Sequence, residues 1–264
     1  MNKSTLDGVS DYPEFYDPNL LIAINRFDSR KKLGIEGLQN FFGIDAWTAY
    51  ELSWLGKNLF PSRGTLYLSY DASSKNFIES KSLKLYLNSL NNHRFNSKEN
   101  VVETLKKDLE ACVKGDVSVD IFKHPKPFLE ESLSIDECAS KLPGAEINSL
   151  VLETSNQEIK ERISCSLFRS LCPVTSQPDW ATITIAYSGN QIIHSSLLCY
   201  LLSFRNHQGF HEECVEKIFT DIMKRCIPDR LTVQANFLRR GGIEINPVRS
   251  SGNNFNEVLR EQRQ

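Results

Sequence analysis

Two side chains seven residues apart, Cys172 and Asp179, carry the chemistry that is easiest to read in this chain, inside Phe168-Arg-Ser-Leu-Cys-Pro-Val-Thr-Ser-Gln-Pro-Asp-Trp180. Pro173 and Pro178 fix two backbone angles and stiffen the segment. A cysteine thiolate is a soft nucleophile, and a nearby carboxylic acid delivers a proton, so the pair suits addition to an electron-poor carbon. For Asp179 to act as the acid near neutral pH its pKa must be raised, with Trp180 and Pro178 as the candidate apolar surroundings. The same two residue types also describe a buried cysteine followed by a turn aspartate.

The elements that must position this pair come in duplicate. Shifting the sequence by 114 positions aligns Ile78, Ser82, Leu83, Tyr86, Leu87, Ser89, Asn92, His93, Glu99, Val101 and Cys112 with identical residues from Ile192 to Cys226. In the first copy Val101, Leu105, Leu109 and Cys112 form one apolar helix face. In the second, Val215, Phe219, Ile222 and Cys226 do the same on a helix beginning near His211. Alternating β-prone segments precede each helix pair (Thr65–Tyr70, Thr182–Tyr187) and follow it (Val117–Phe122, Leu231–Asn236). Strands, two helices and strands, repeated, predict a duplicated α+β module. The boundaries expected are 1–124 for the first module, 125–156 for a linker rich in Pro, Ser and acidic residues, and 157–264 for the second. Arg249 to Gln264 reads as a polar tail with little reason to fold by itself.

Bulk properties narrow the class. The chain has 264 residues, 24% charged and 40% hydrophobic, with a formal net charge of −2. That is enough chain for a sizeable core, and the charge balance argues against direct nucleic-acid binding as the main business. No apolar run reaches membrane-spanning length, and the polar opening is not a signal peptide. Seven cysteines without a Cys-x-x-Cys point to reduced thiols and a cytoplasmic setting. Cys112, Cys199 and Cys226 lie in apolar helical patterns and read as packing residues, while Cys138, Cys165 and Cys214 have no partner at metal-ligand spacing. His93 and His207 match across the repeat and read as structural hydrogen-bonding residues. His211-Glu-Glu-Cys214 lacks the second histidine of a zinc helix, so no metal is expected.

Three further segments carry chemically useful groups. Phe77-Ile-Glu-Ser-Lys-Ser-Leu-Lys-Leu-Tyr-Leu-Asn88 places Glu79, Lys81 and Lys84 where the second copy has Ile193, Ser195 and Leu198. Phe210-His-Glu-Glu213 puts acidic residues at a helix start, where a carboxylate is stabilised and should stay ionised; capping alone accounts for one there. Phe237-Leu-Arg-Arg-Gly-Gly-Ile243 is a tight turn between strands with adjacent arginines, which ordinary surface charge also explains. There is no Gly-x-Gly-x-x-Gly, so a Rossmann mode of dinucleotide binding is not expected.

Cys172-Pro-Val-Thr-Ser-Gln-Pro-Asp-Trp180, together with Glu79-Ser-Lys-Ser-Leu-Lys-Leu-Tyr86, Phe210-His-Glu-Glu213 and Arg239-Arg-Gly-Gly242, resembles the NADPH-dependent 7-cyano-7-deazaguanine reductases, the nitrile reductases of queuosine biosynthesis, in their long two-module form. The likeness runs from about Leu33 to Arg249, with Val248 standing where the family often has an aromatic residue. It implies tandem tunnelling-fold modules, antiparallel strands with paired helices outside, assembled as a homodimer. It implies Cys172 as nucleophile through a covalent thioimide, Asp179 as acid and His211 as an active-site partner. Ile78, Glu79, Ser80, His211 and Glu212 are then substrate residues, with Glu212 recognising the base. Ser80, Lys81, Arg240 and Gly241 are then cofactor residues, Arg240 suiting the 2′-phosphate of NADPH. Two rivals remain on the residues alone: a purine-ring hydrolase on the same fold, which would want metal ligands, and a base-binding module without catalysis.

Overall fold

The computed structural model describes residues 13–35, 41–122, 132–138, 144, 146–253, 260–261 and 263–264. Strand β1 (Ala23–Asn25) leads into α1 (Arg26–Lys32). A long hairpin of β2 (Phe42–Leu55) and β3 (Pro61–Asp71) follows, then β4 (Asn76–Ile78), α2 (Ser80–Ser89), α3 (Lys98–Val113) and β5 (Val117–Phe122). The short β6 (Leu133–Ser134) precedes a second long hairpin, β7 (Thr154–Leu171) and β8 (Pro178–Ile192). Helices α4 (His194–Leu202) and α5 (His211–Cys226) and strands β9 (Arg230–Phe237) and β10 (Ile243–Ser250) complete the chain.

The fold is mixed α/β. An eight-stranded sheet runs β5-β3-β2-β10-β9-β8-β7-β6, while β1 and β4 form a separate antiparallel pair. Among the described residues of the large sheet, only β6 and β7 pair in parallel. The halves join where β10 lies antiparallel to β2, with Ile245 opposite Trp47. Period-two alternation sends Leu66, Leu68 and Tyr70 to one core and Leu231, Val233, Ala235 and Phe237 to the other, each covered by its own helix pair.

Identities at the 114-residue spacing fall on side chains that make the same bonds in both halves. The hydroxyls of Ser82 and Ser196 accept the N–H groups of Ile22 and Glu153 at 3.0 and 3.1 Å. Buried Tyr86 and Tyr200 donate to Asp108 and Asp221, both at 2.7 Å. Apolar periodicity alone would not select these polar positions.

Two expectations change. The stretch read as a linker contributes buried Ile135 and Leu152 to the second core, and β7 begins inside it at Thr154, because its few apolar residues find open core surface. Its prolines Pro125, Pro127 and Pro143 lie outside the described residues. Arg249 is not part of a polar tail: it belongs to β10 and is 0% exposed. Alternation turns it toward the helices, where Nη1 donates to Asp45 at 2.8 Å and Nη2 to Glu216 at 2.8 Å. Among the described C-terminal residues, the Gln264 amide donates to Asn246 and to the Phe237 carbonyl, and Arg260 donates to Glu244, pairing polar groups on the outer face of β9 and β10.

Arg26 and Arg30 complete the buried network, Arg26 on Asp45 and Arg30 on both oxygens of Glu216 at 2.8 and 2.9 Å. Arg249→Met strips the shared cation from two buried carboxylates, so the expected loss is about 3–5 kcal/mol in urea unfolding. A loss below about 1 kcal/mol would mean that the remaining arginines take over.

Candidate active site

The hairpin between β7 and β8 presents Cys172. Its N–H donates to the Gln177 carbonyl at 2.9 Å, and the Ser176 N–H donates back to the Cys172 carbonyl at 2.9 Å. Ser176 takes a left-handed φ of 58° to close the loop. Leu171 exchanges backbone bonds with His207 and Gly209, pinning this loop beside the start of α5. Asp179, on the helix side of β8, therefore meets His211, the first residue of α5, at 3.4 Å from Nε2 to Oδ2. The His211 ring stacks on Phe237 at 3.8 Å. The other Asp179 oxygen, Oδ1, accepts from Arg240 Nη1 at 2.5 Å, and Nη2 of the same arginine donates to Gln177 at 2.6 Å.

These neighbours set the charge states. Burial pushes the Cys172 thiol up, but hydrogen bonds from the Thr175 hydroxyl, the Thr175 and Val174 N–H groups and Arg240 outweigh it, leaving the thiol below its ordinary value. The raised pKa expected for Asp179 is not found. Burial raises it, yet the hydrogen bonds and charges of His211 and Arg240 hold it below the usual carboxylate value. Nor do Trp180 and Pro178 wrap it in apolar surface. Adjacent strand residues face opposite ways, and Trp180 is 36% exposed with Arg169 and Arg205 over its ring.

Glu212 is buried, and its Oε1 has no partner among the described residues. Its expected ionisation is overturned. Burial first, and then the charge of Asp45, push its carboxyl up to about 8 despite the helix start and the cations Arg26 and Arg249. Full desolvation of a carboxylate exceeds what a helix N-terminus supplies. Capping is done by the next residue: Glu213 accepts the Phe210 N–H at 2.9 Å.

The first half reaches the same place within one chain. Phe77 and Phe210 pack edge to face at 5.3 Å, and the buried Ile78 donates its N–H to the Tyr70 hydroxyl, itself under the influence of the Glu212 charge. Glu79 caps α2, accepting the N–H groups of Lys81 and Ser82 at 3.0 and 2.7 Å, and Ser80 lies 3.5 Å from it. Lys81 is exposed, while Lys84 pairs with Glu51. Gly241 and Gly242 close the turn between β9 and β10 with φ of 56° and 76°. A Cβ on Gly242 would meet Glu51 Oε1 at 2.6 Å, and one on Gly241 would touch Lys84 at 3.8 Å. The contact of Lys84 with Gly241 sets α2 of the first half against this turn, which Arg240 precedes in sequence.

Sequence reasoning missed the buried cluster of Arg26, Asp45, Glu216 and Arg249 near Glu212, and the bond from Arg240 to Asp179. One signal existed: Asp45 and Arg249 are charges in the alternating set that otherwise supplies Trp47, Ala49, Ile243 and Ile245 to the core.

The site thus holds a thiol of lowered pKa, a carboxylate–imidazole pair and a buried carboxylate with one oxygen unpartnered among the described residues. Residues 12–121 match the family described as nitrile reductase, 7-cyano-7-deazaguanine-reductase N-term, and residues 178–255 the QueF-like protein family. The NADPH-dependent 7-cyano-7-deazaguanine reductase of Desulfotalea psychrophila is 45% identical over 91% of this chain and 90% of its own. Those of Polaromonas sp. (42%, 94% and 93%) and Legionella pneumophila strain Lens (40%, 95% and 90%) are similar. The chain belongs to the NADPH-dependent 7-cyano-7-deazaguanine reductases.

Proposed function

We propose that the protein reduces the nitrile of 7-cyano-7-deazaguanine to the aminomethyl group, as a step of queuosine biosynthesis. The carrying observation is that Arg240 interacts with both Cys172, whose pKa is lowered, and Asp179, which pairs with His211. Glu212 accepts the ring N–H and exocyclic amine of the base, and these donors favour its ionised form. Glu79 and the Ile78–Ser80 segment hold the other side of the substrate.

The Cys172 thiolate attacks the nitrile carbon. A C–S bond forms, one C–N π bond breaks, and the nitrogen takes that electron pair together with a proton. Asp179 and His211 hold this proton between them, so Asp179 acts as part of a pair, which accommodates its lowered pKa in the free protein. The resulting thioimide accepts hydride better than a bare nitrile does. NADPH, when bound, supplies the hydride, in two successive equivalents per product. Ser80, Lys81, Arg240 and Gly241 would hold it, with the cationic corner of α2 matched to its phosphates. Covalent attachment keeps the first adduct in place. Breaking of the C–S bond returns the electron pair to the Cys172 thiolate and leaves an imine, and the second hydride at its carbon is matched by a second proton, taken up from solvent, at its nitrogen.

Tandem tunnelling-fold modules, the second including the stretch that packs Ile135 and Leu152 into its core, account for the bonds repeated in the two halves. A homodimer is the assembly we infer, supported by the sheet's ends: among the described residues β5 and β6 each have a single partner strand. Purified protein mixed with 7-cyano-7-deazaguanine and NADPH is expected to oxidise two NADPH per aminomethyl product. A cysteine-dependent mass adduct without oxidation would leave only the capture step, and neither signal would reject the substrate.

A further inference from the structure

The Arg240 side chain reaches into the loop that carries Cys172. It donates to Asp179 Oδ1 at 2.5 Å, to Gln177 Oε1 at 2.6 Å and to Thr175 Oγ1 at 3.5 Å. One planar fork thereby spans the loop from its middle to the first turn of β8. Its backbone is fixed by reciprocal bonds with Ile243, both at 3.1 Å, across the two left-handed glycines.

We infer that Arg240 is a positioning residue for the nucleophile, fixing the loop that carries Cys172 and holding Asp179 in place before any cofactor binds. This rests on the reading of Cys172 and Asp179 given above, and it assigns Arg240 work that phosphate binding does not require. A fixed cation beside a thiol favours the charged form, and Arg240 is among the groups that lower the Cys172 pKa. Its two nitrogens bond different partners, Nη1 to Asp179 and Nη2 to Gln177, so the arginine also sets the distance between the acid and the loop. A lysine keeps the charge but not the fork.

The test is the pH profile of Cys172 alkylation by iodoacetamide, read by mass spectrometry on the peptide that contains it, with no substrate or cofactor present. In Arg240→Ala the midpoint is expected to move up, and alkylation at pH 7 to fall about tenfold for every pH unit by which that midpoint rises. Arg240→Lys should recover part of the loss, and Arg240→Gln carries the same expectation as alanine should that variant fail to fold. An unchanged profile in a folded variant, accompanied by a raised KM for NADPH, overturns the proposal and leaves Arg240 a cofactor residue only. Because the probe is not the nitrile, failure of the nitrile reductase reading shows separately, as an unaltered chain that neither oxidises NADPH nor forms an adduct.

Discussion

Cys172→Ala is expected to leave no measurable NADPH oxidation, a loss of roughly 10⁴-fold or more, while the protein stays folded. Without the C–S bond the nitrile is a poor hydride acceptor, and the remaining Asp179–His211 pair has no anion to protonate. The fold should survive because Cys172 is only half-buried in a loop whose closing bonds are made by backbone groups. The measurements are cofactor oxidation, the mass of the protein after exposure to the nitrile, and circular dichroism. Turnover within about tenfold of the parent would mean that hydride reaches the nitrile directly, and the covalent route would be abandoned. Cys226→Ala makes the contrasting control: that thiol packs in the second core, and burial pushes it up to about 11, so its loss should lower stability and leave the chemistry alone.

Glu212→Gln is expected to move activity and stability in opposite directions. The amide replaces one charged acceptor with a donor that faces the N–H groups of the base, so kcat/KM should fall by about 10³-fold or more. Stability follows the pKa. The folded chain holds the Glu212 proton up to about pH 8, whereas the unfolded chain releases it near the ordinary value of 4.5. Between those limits the folded state binds more protons than the unfolded one, so this residue makes stability fall as pH rises from about 4.5 to about 8. Glutamine has no such titration. The variant should melt higher than the parent above pH 8, by on the order of 3 °C, with the gain shrinking toward pH 4.5. A variant that melts lower than its parent above pH 8 would show that the carboxylate is already paired there, and the account of an unsatisfied recognition group would fail.

Much of the architecture was legible without coordinates. The alternation in Thr65–Tyr70, Thr182–Tyr187, Val117–Phe122 and Leu231–Asn236 fell inside β3, β8, β5 and β9, and the helix expected near His211 begins there. These readings worked because strand and helix periods are local and the apolar sets have one buried face each. The loop from Cys172 to Asp179 was legible for the same reason, its residues being neighbours in sequence and stiffened by two prolines. The stretch before β7 and the C-terminal residues were misread, because polar or mixed segments become ordered only where the rest of the molecule offers them partners.

What the sequence determined by itself was therefore the set of elements, their repetition and the chemical kinds of side chain available. The charge state of each was decided by the tertiary structure alone. Asp179 stays low because His211 and Arg240, both far along the chain, reach it, and Glu212 rises because folding buries it beside Asp45 from the other half. A pKa depends on desolvation and on charges within a few ångströms, and both are properties of neighbours in space that no local pattern records.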